Sequence, residues 1–363
     1  MGKRLIDLGR KRLPLLLLGG VSLASLALIV FFGQAAKRVL PAAQTTASQN
    51  QSAESAAFQL ALQPLEARRE NLLQLVASDD DDYADYLLAT DLLSQGQATE
   101  ALALLDEQAT SKTQTLLAPY VLLKQGQAQQ LAGKTPTGWE LLLTDHATHS
   151  AAAEARYELG KQEPAQWEAL LDNHPSHPRA VEVALTQLKT ATSKDKLLLV
   201  AAHGLYSEEY EASLDRLVEN YGSELTPEQW ESVGFGYWEN LRYGDAGKAY
   251  GNAPASPVNL YRAARGAQIA QQRVVAIANY QTLAKTFPNA PETGLGLIKL
   301  AESLPDKSAL APLDQVIQTF PDRAGEALLQ KASVLEQLQS PTSAKNARTS
   351  VLSQHSDSEA AAE

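Results

Sequence analysis

WESVGFGYWENLRYGDAGKAY, Trp230 to Tyr250, crowds two tryptophans, three tyrosines, a phenylalanine and four glycines into twenty-one positions. Rings beside a carboxylate, here Glu231, suit a glycan-cleaving site, where a sugar face stacks on an aromatic and an acid protonates the glycosidic oxygen. The spacing points to structure instead. Trp230, Val233, Gly234, Tyr237, Ala246 and Tyr250 fall at W-x2-L-G-x2-Y…A-x3-F offsets, the pattern of a helix–turn–helix unit of about 34 residues. Small residues let the two helices approach while the rings fill the gap between them. Thr226 is placed to cap the first helix with Pro227 at its first position, and Tyr243–Asp245 is expected to turn the chain into the second.

The same frame recurs downstream as Leu260, Ala263, Ala267, Ala276, Tyr280 and Pro288, then as Gly296, Leu297, Leu300, Ala309, Leu313 and Pro321. A further copy reads Ala332, Leu335, Ala344 and Val351, with Ser356 in place of the proline. The junctions TFPNAPETG, TFPDRAGEA and SQHSDSEAA repeat at 33 and 35 residues, from Phe287 to Phe320 to His355. Upstream, Leu87 to Leu105 fits the frame, whereas HATHSAAAEA and HPSHPRAVE show only its junction. No stretch alternates as a strand would. The fold expected is all-α, a right-handed α-solenoid of tetratricopeptide-like (TPR-like) repeats over 58–363, best seen at 227–256, 257–289, 290–322 and 323–357. Such units cannot bury their apolar faces alone and must stack. The chain ends one turn into what would be the next repeat, which reads as a truncated C-terminus.

Residues 41–57, PAAQTTASQNQSAESAA, are small and polar and fall within an expected flexible linker, 33–57. Before it, Leu13 to Phe32 is twenty residues without a charge, long enough at roughly 1.5 Å per residue to cross a ~30 Å hydrocarbon core. Five basic residues precede the run, so 1–12 is expected as a cytoplasmic basic tail and 13–32 as a transmembrane signal-anchor, with the bulk in the periplasm. A cleavable signal peptide ending at the small-x-small site Gly33-Gln34-Ala35 is the alternative, and it gives the same compartment.

The first forty residues carry +6 of a net −11, which leaves −17 from 24 basic and 41 acidic side chains. That excess repels phosphate backbones and argues against a nucleic-acid partner. There is no cysteine, hence no disulfide, thiolate metal site or Cys nucleophile. The pairs His146/His149 and His174/His177 have a metal-like spacing, but His174 precedes Pro175 as Phe287 precedes Pro288, a structural repeat position. Asp79–Asp82 lacks the glycine and spaced acids of a Ca²⁺ loop and reads as a helix start. The Glu-Ser dipeptides at 54–55, 231–232 and 302–303 lack a catalytic context, and no phosphate loop, nucleophile elbow or dinucleotide fingerprint occurs. No catalytic, cofactor-binding or metal-ligating residue is expected. Trp139, Trp167, Trp230 and Trp238 are the candidate glycan contacts, with at least three expected to pack between helices instead.

In order along the chain, KRLIDLGRKRLPLLLLGGVSLASLA, PLEARRENLL, LAPYVLLKQGQAQQLAGK, NHPSHPRAVEV, LTPEQWESVGFGYWENLRYGDAGKAY, PVNLYRAARGAQIA and SPTSAKNARTSVLSQHSDSEAAAE resemble the N-terminal part of a soluble lytic murein transglycosylase of the cyanobacterial kind. The resemblance implies a periplasmic α-superhelical region that positions peptidoglycan (murein glycan) strands for a C-terminal lysozyme-like domain. That domain cleaves MurNAc–GlcNAc bonds and leaves 1,6-anhydromuramyl ends, using a glutamate in a Glu-Ser motif followed by Gly-Leu-Met-Gln. Gly-Leu-Met-Gln is absent and Met1 is the only methionine, so no family active-site residue transfers to this chain. The partners implied are murein strands and the inner membrane. A free-standing TPR-like adaptor for cell-envelope proteins is the alternative.

Overall fold

The computed structural model describes residues 56–78, 83–111 and 116–362. The expected basic tail, the anchor at 13–32, nearly all of the linker and the Asp79–Asp82 run lie outside them. Every regular element among the described residues is helical, and none of these helices is long and apolar enough to cross a membrane.

The chain divides into two compact units, up to Glu158 and from Leu159. The first contains α1 (Ala56–Ala61), α2 (Leu65–Ser78), α3 (Ala84–Ser94), α4 (Ala98–Ser111), α5 (Ala118–Leu131) and α6 (Thr137–Asp145), and the division falls within α7 (Ser150–Gly160). Helix α1 opens inside the stretch read as linker. The second unit continues with α8 (Pro164–Asn173), α9 (Pro178–Leu188), α10 (Lys194–His203), α11 (Tyr210–Tyr221), α12 (Pro227–Glu239) and α13 (Tyr243–Gly251). It ends with α14 (Pro257–Ile269), α15 (Arg273–Thr286), α16 (Pro291–Ser303), α17 (Leu310–Thr319), α18 (Ala324–Gln337) and α19 (Pro341–Gln354). Within each unit a helix packs on the next one or two in sequence, the arrangement of a helical repeat.

Two turn devices alternate. The first closes the hairpins α3–α4, α5–α6, α12–α13, α14–α15 and α18–α19. Each first helix ends at a left-handed residue, namely Gly96, Gly133, Leu241, Gln271 and Gln339, with φ of 76°, 70°, 62°, 61° and 56°. The next N–H reaches back to a carbonyl inside the helix: Gln97 to Leu92, Lys134 to Gln129, Arg242 to Tyr237, Gln272 to Ala267 and Ser340 to Leu335, at 2.8–2.9 Å. This is the Schellman closure, which satisfies carbonyls the helix end leaves unpaired. The α12–α13 turn is therefore Asn240–Arg242 and not Tyr243–Asp245. Gly244 sits in α13, where a side chain would meet Ala270 Cβ at 3.1 Å. Between α16 and α17 the device is missing, because Pro305 has φ fixed at −78° and a 3-10 turn over Asp306–Ala309 replaces it.

The second device joins one hairpin to the next. A backbone N–H donates three residues back at His149→His146, His177→His174, Ser207→Gly204, Ala290→Phe287, Arg323→Phe320 and Ser358→His355, at 2.8–3.1 Å. The opening residue of each turn also donates its own N–H four residues back into the preceding helix, as His174 does to Leu170 and Phe287 to Leu283. The two His-x2-His pairs occupy the first and fourth positions of this turn, and His149 and His177 cap the following helices by accepting from Ala151 N and Arg179 N through Nδ1. The junction at Gly204–Ser207 was hidden in the sequence by a glycine where the others carry a ring. After it, α11 leads through a 3-10 turn at Gly222–Glu224 directly to the cap of another first helix, so one second helix is skipped, and α10 packs on both α11 and α12.

The repeat positions read from sequence form the core. Val233, Tyr237, Ala246 and Tyr250 are buried, as are Ala263, Ala267, Ala276 and Tyr280, then Leu297, Leu300, Ala309 and Leu313, then Ala332, Ala344 and Val351. Thr226 and Gln229 make a reciprocal capping box with Pro227 behind it, and Ser256 caps α14 by a single bond, its Oγ accepting from Asn259 N at 3.1 Å.

Candidate functional site

The four tryptophans are placed first as packing groups. Trp139 is 0% exposed and donates from Nε1 to Leu123 O at 3.0 Å. Its indole lies against Gly126, where any Cβ would overlap the ring. This corrects the expectation of a glycan contact there, since an enclosed ring offers no face to a sugar. Trp167 is half-buried and covers Gly160 in the same way. Trp230 is half-buried beside Gly222. Trp238 is half-buried and braced edge-on by Tyr243 and Tyr250, with ring centroids at 5.0 and 6.3 Å.

Trp238 belongs to a polar–aromatic cluster shared by α12, α13 and α14. Arg262 of α14 lies 5.5 Å from the Trp238 ring centre and 5.3 Å from that of Tyr250, and it donates to Tyr250 Oη at 2.5 Å. Cation–π contact and the phenol oxygen fix the guanidinium while leaving it half-exposed. One turn on, Arg265 donates to Gln268 Oε1 at 2.8 Å, which also accepts from Tyr280 Oη at 2.9 Å. Asn259 donates to Glu231 Oε1 at 3.0 Å, linking α14 to α12. Gln268 Nε2 donates to Lys299 O at 3.3 Å and Ser303 Oγ at 3.1 Å, linking α14 to α16. Burial pushes the phenols of Tyr250 and Tyr280 up from the ordinary tyrosine range, so both remain neutral.

A second network ties α11 to the α12–α13 hairpin. Asp215 accepts from Tyr237 Oη at 2.9 Å and Arg242 Nη1 at 2.8 Å, and Arg242 also pairs with Asp245 at 2.8 Å while lying 4.6 Å over the Tyr237 ring. The hydrogen bond from Arg242 holds the Asp215 carboxyl below its usual range against partial desolvation. The network stitches in the helix at which the hairpin alternation skips.

The remaining candidates resolve into local structure. Glu231 is engaged by Asn259, and Glu302 pairs with Lys299 at 2.5 Å. Glu54-Ser55 lies outside the described residues. No group of three His, Asp or Glu among the described residues could hold a metal. In the first unit, α5 buries Lys124, Gln125 and Gln129. Desolvation lowers the Lys124 pKa, and the charge of Glu154 opposes that shift. Near the C-terminal end a cleft of about 850 Å³ lies between Pro321–Leu329 and Gln354–Ala360, with Asp322, Glu326, Asp357 and Glu359 on its walls.

No protein-family model and no curated protein matches the sequence. Among solved structures, the chain is similar to the C-terminal part of a TPR repeat-containing protein from Cytophaga hutchinsonii, at 12% identity and TM-score 0.36, covering 76% of this chain and 97% of that one. It is also similar to the TPR domain of P58(IPK), at 15% identity and TM-score 0.25, covering 77% of this chain and 85% of that one.

Proposed function

We propose that this chain is a binding scaffold, a TPR-like adaptor whose first-helix faces hold a protein partner. One observation carries the reading. In the second unit, the first helices α12, α14 and α16 are linked in series by the Glu231–Asn259 and Gln268–Ser303 hydrogen bonds. Their half-exposed polar and aromatic side chains thus form one continuous, pre-positioned surface, as a recognition surface needs.

The location proposed with it is the periplasmic face of an inner membrane, anchored through 13–32, with the repeats wound into a right-handed solenoid. The uncharged twenty-residue run and its basic flank support this placement. The ordered sequence segments that resemble murein transglycosylases favour a second reading, in which the scaffold positions glycan strands.

The test places a photo-crosslinking residue at Phe235 or Leu295, on first helices, or at Val274, on a second helix, in the full chain in cells. The adaptor reading expects a discrete protein adduct from the first two positions and none from the third. Equal labelling from all three positions overturns it. Retention of the chain on purified sacculi above that of an unrelated helical-repeat protein, without protein adducts, would select the glycan reading instead.

A further inference from the structure

Apolar side chains gather on one edge of the second unit. Leu241 stands exposed at the α12–α13 turn, and exposed Ile269, Val274 and Val275 flank the α14–α15 turn, Val274 at 82%. The two turns are neighbours, since a Cβ on Gly244, near the start of α13, would lie 3.1 Å from Ala270 Cβ just past the end of α14. Arg273 Nε donates to Ser303 O at 2.6 Å, which seats the second turn against the end of α16. Solvated turns and helix starts draw on polar residues, with acids favoured in the first turn of a helix. The first turn of α15 holds no acid and opens with Arg273, Val274 and Val275. Charge singles out the same hairpin. From Ala246 to Pro291 there is no Asp or Glu, while Lys248, Arg262, Arg265, Arg273 and Lys285 carry +5 in a chain of net −11. On the flanking helices, Asp245 and Glu302 are paired with Arg242 and Lys299.

We propose that the edge formed by the α12–α13 and α14–α15 turns docks on an anionic lipid bilayer. Val274, Val275, Ile269 and Leu241 enter the boundary between headgroups and acyl chains, and Arg273 stays at the level of the phosphates. This deepens the membrane placement proposed above and rests on it. Interfacial binding draws on buried apolar area together with attraction of cations to anionic headgroups, and this hairpin carries both. A long basic side chain also suits the boundary, because its stem lies along apolar surface while its charge remains in water. The sequence supplies the bilayer as occupant. Leu13 to Phe32 is uncharged and long enough to span one, and the intervening 33–55 extends at most roughly 80 Å at ~3.3–3.6 Å per residue. A chain tethered so closely meets the surface at high effective concentration, so an edge of modest affinity remains docked. Docking through turns, at the ends of helices, leaves the first-helix sides uncovered for the partner of the scaffold reading.

Because the chain has no cysteine, one introduced thiol carries a single label. The full chain bearing Val274→Cys, or Asn289→Cys at the exposed turn beyond the other end of α15, is labelled with the fluorophore NBD. It is reconstituted into phosphatidylcholine vesicles containing phosphatidylglycerol, with and without doxyl-labelled lipid, and the vesicles are floated. The label at 274 is expected to shift to the blue and to lose roughly half or more of its emission to doxyl lipid, while the label at 289 does neither. Val274→Glu/Val275→Glu, at positions exposed in the fold, should abolish the quenching of a label at Ile269→Cys. Quenching should also weaken when phosphatidylcholine is used alone. Equal signals at 274 and 289 on vesicle-bound chain, or quenching indifferent to phosphatidylglycerol, overturn the docking edge and leave the anchor standing. A blue shift without doxyl quenching would assign the edge to a protein surface and overturn the proposal. A chain left behind by floating vesicles would overturn the anchor and the docking edge together.

Discussion

Leu241 carries two unfavourable features at one position. Its φ is 62° and its side chain is 65% exposed, so a branched residue sits in the left-handed region without burying its apolar surface. Left-handed backbone costs an L-residue roughly 1–2 kcal/mol, and glycine returns about 0.4–1 kcal/mol of that through the entropy of the unfolded chain. Leu241→Gly should therefore stabilise the fold by about 0.5–1 kcal/mol, read as a rise in the urea midpoint. Leu241→Ala keeps the Cβ and should give no such gain. A fall in the midpoint for the glycine variant would show that the leucine side chain packs usefully at the turn. The turn was misplaced in the sequence for the same reason: Gly244 advertises a turn and Leu241 does not, whereas the Schellman closure depends on backbone hydrogen bonds that any residue can make.

At the scale of helices, α13 and α14 cross where Gly247 meets Gly266. A Cβ on Gly266 would overlap the Tyr243 carbonyl and lie 2.7 Å from Gly247 Cα, and one on Gly247 would lie 2.9 Å from Ala267 N. These obstacles are backbone, so they cannot rotate away. Gly266→Ala should destabilise by about 1–3 kcal/mol through overpacking. Gly251, at the end of α13, has nothing within 4 Å of its Cβ position and no positive φ, so Gly251→Ala should stabilise by about 0.5–1 kcal/mol on helix propensity alone. Thermal melts of the two variants decide this, and a shift of the same sign in both would refute the crossing argument. The sequence showed that small residues let helices approach. It did not show which glycine touches backbone, because that depends on how one hairpin is rotated against the next.

Across the molecule, the repeat frame was legible where Ala, Tyr and Leu recur at fixed offsets, from Trp230 onward, and the buried set there matches it. In the first unit it was legible over Leu87 to Leu105 and was lost at α5, which buries Lys124, Gln125 and Gln129 at positions an apolar pattern search discards. The polar–aromatic network of α14 was equally hidden, since it depends on which ring and amide partners α13 and α15 bring to Arg262 and Gln268. Within the second unit each helix packs on its sequence neighbours, so stability should approach a sum of hairpin and nearest-neighbour terms rather than a single all-or-none quantity. The cluster around α14–α17 includes Tyr280, Leu297, Ile298, Leu300, Leu313 and Val316, whereas α18–α19 rests on the smaller set Leu328, Ala332, Ala347 and Val351. Native-state amide exchange should accordingly be graded, slowest in α14–α16 and fastest in α19, with the Ala344–Val351 amides opening well before those of Ala263–Ala267. One exchange free energy shared by both segments would mean that the unit opens as a single cooperative body, and the additive picture would fail.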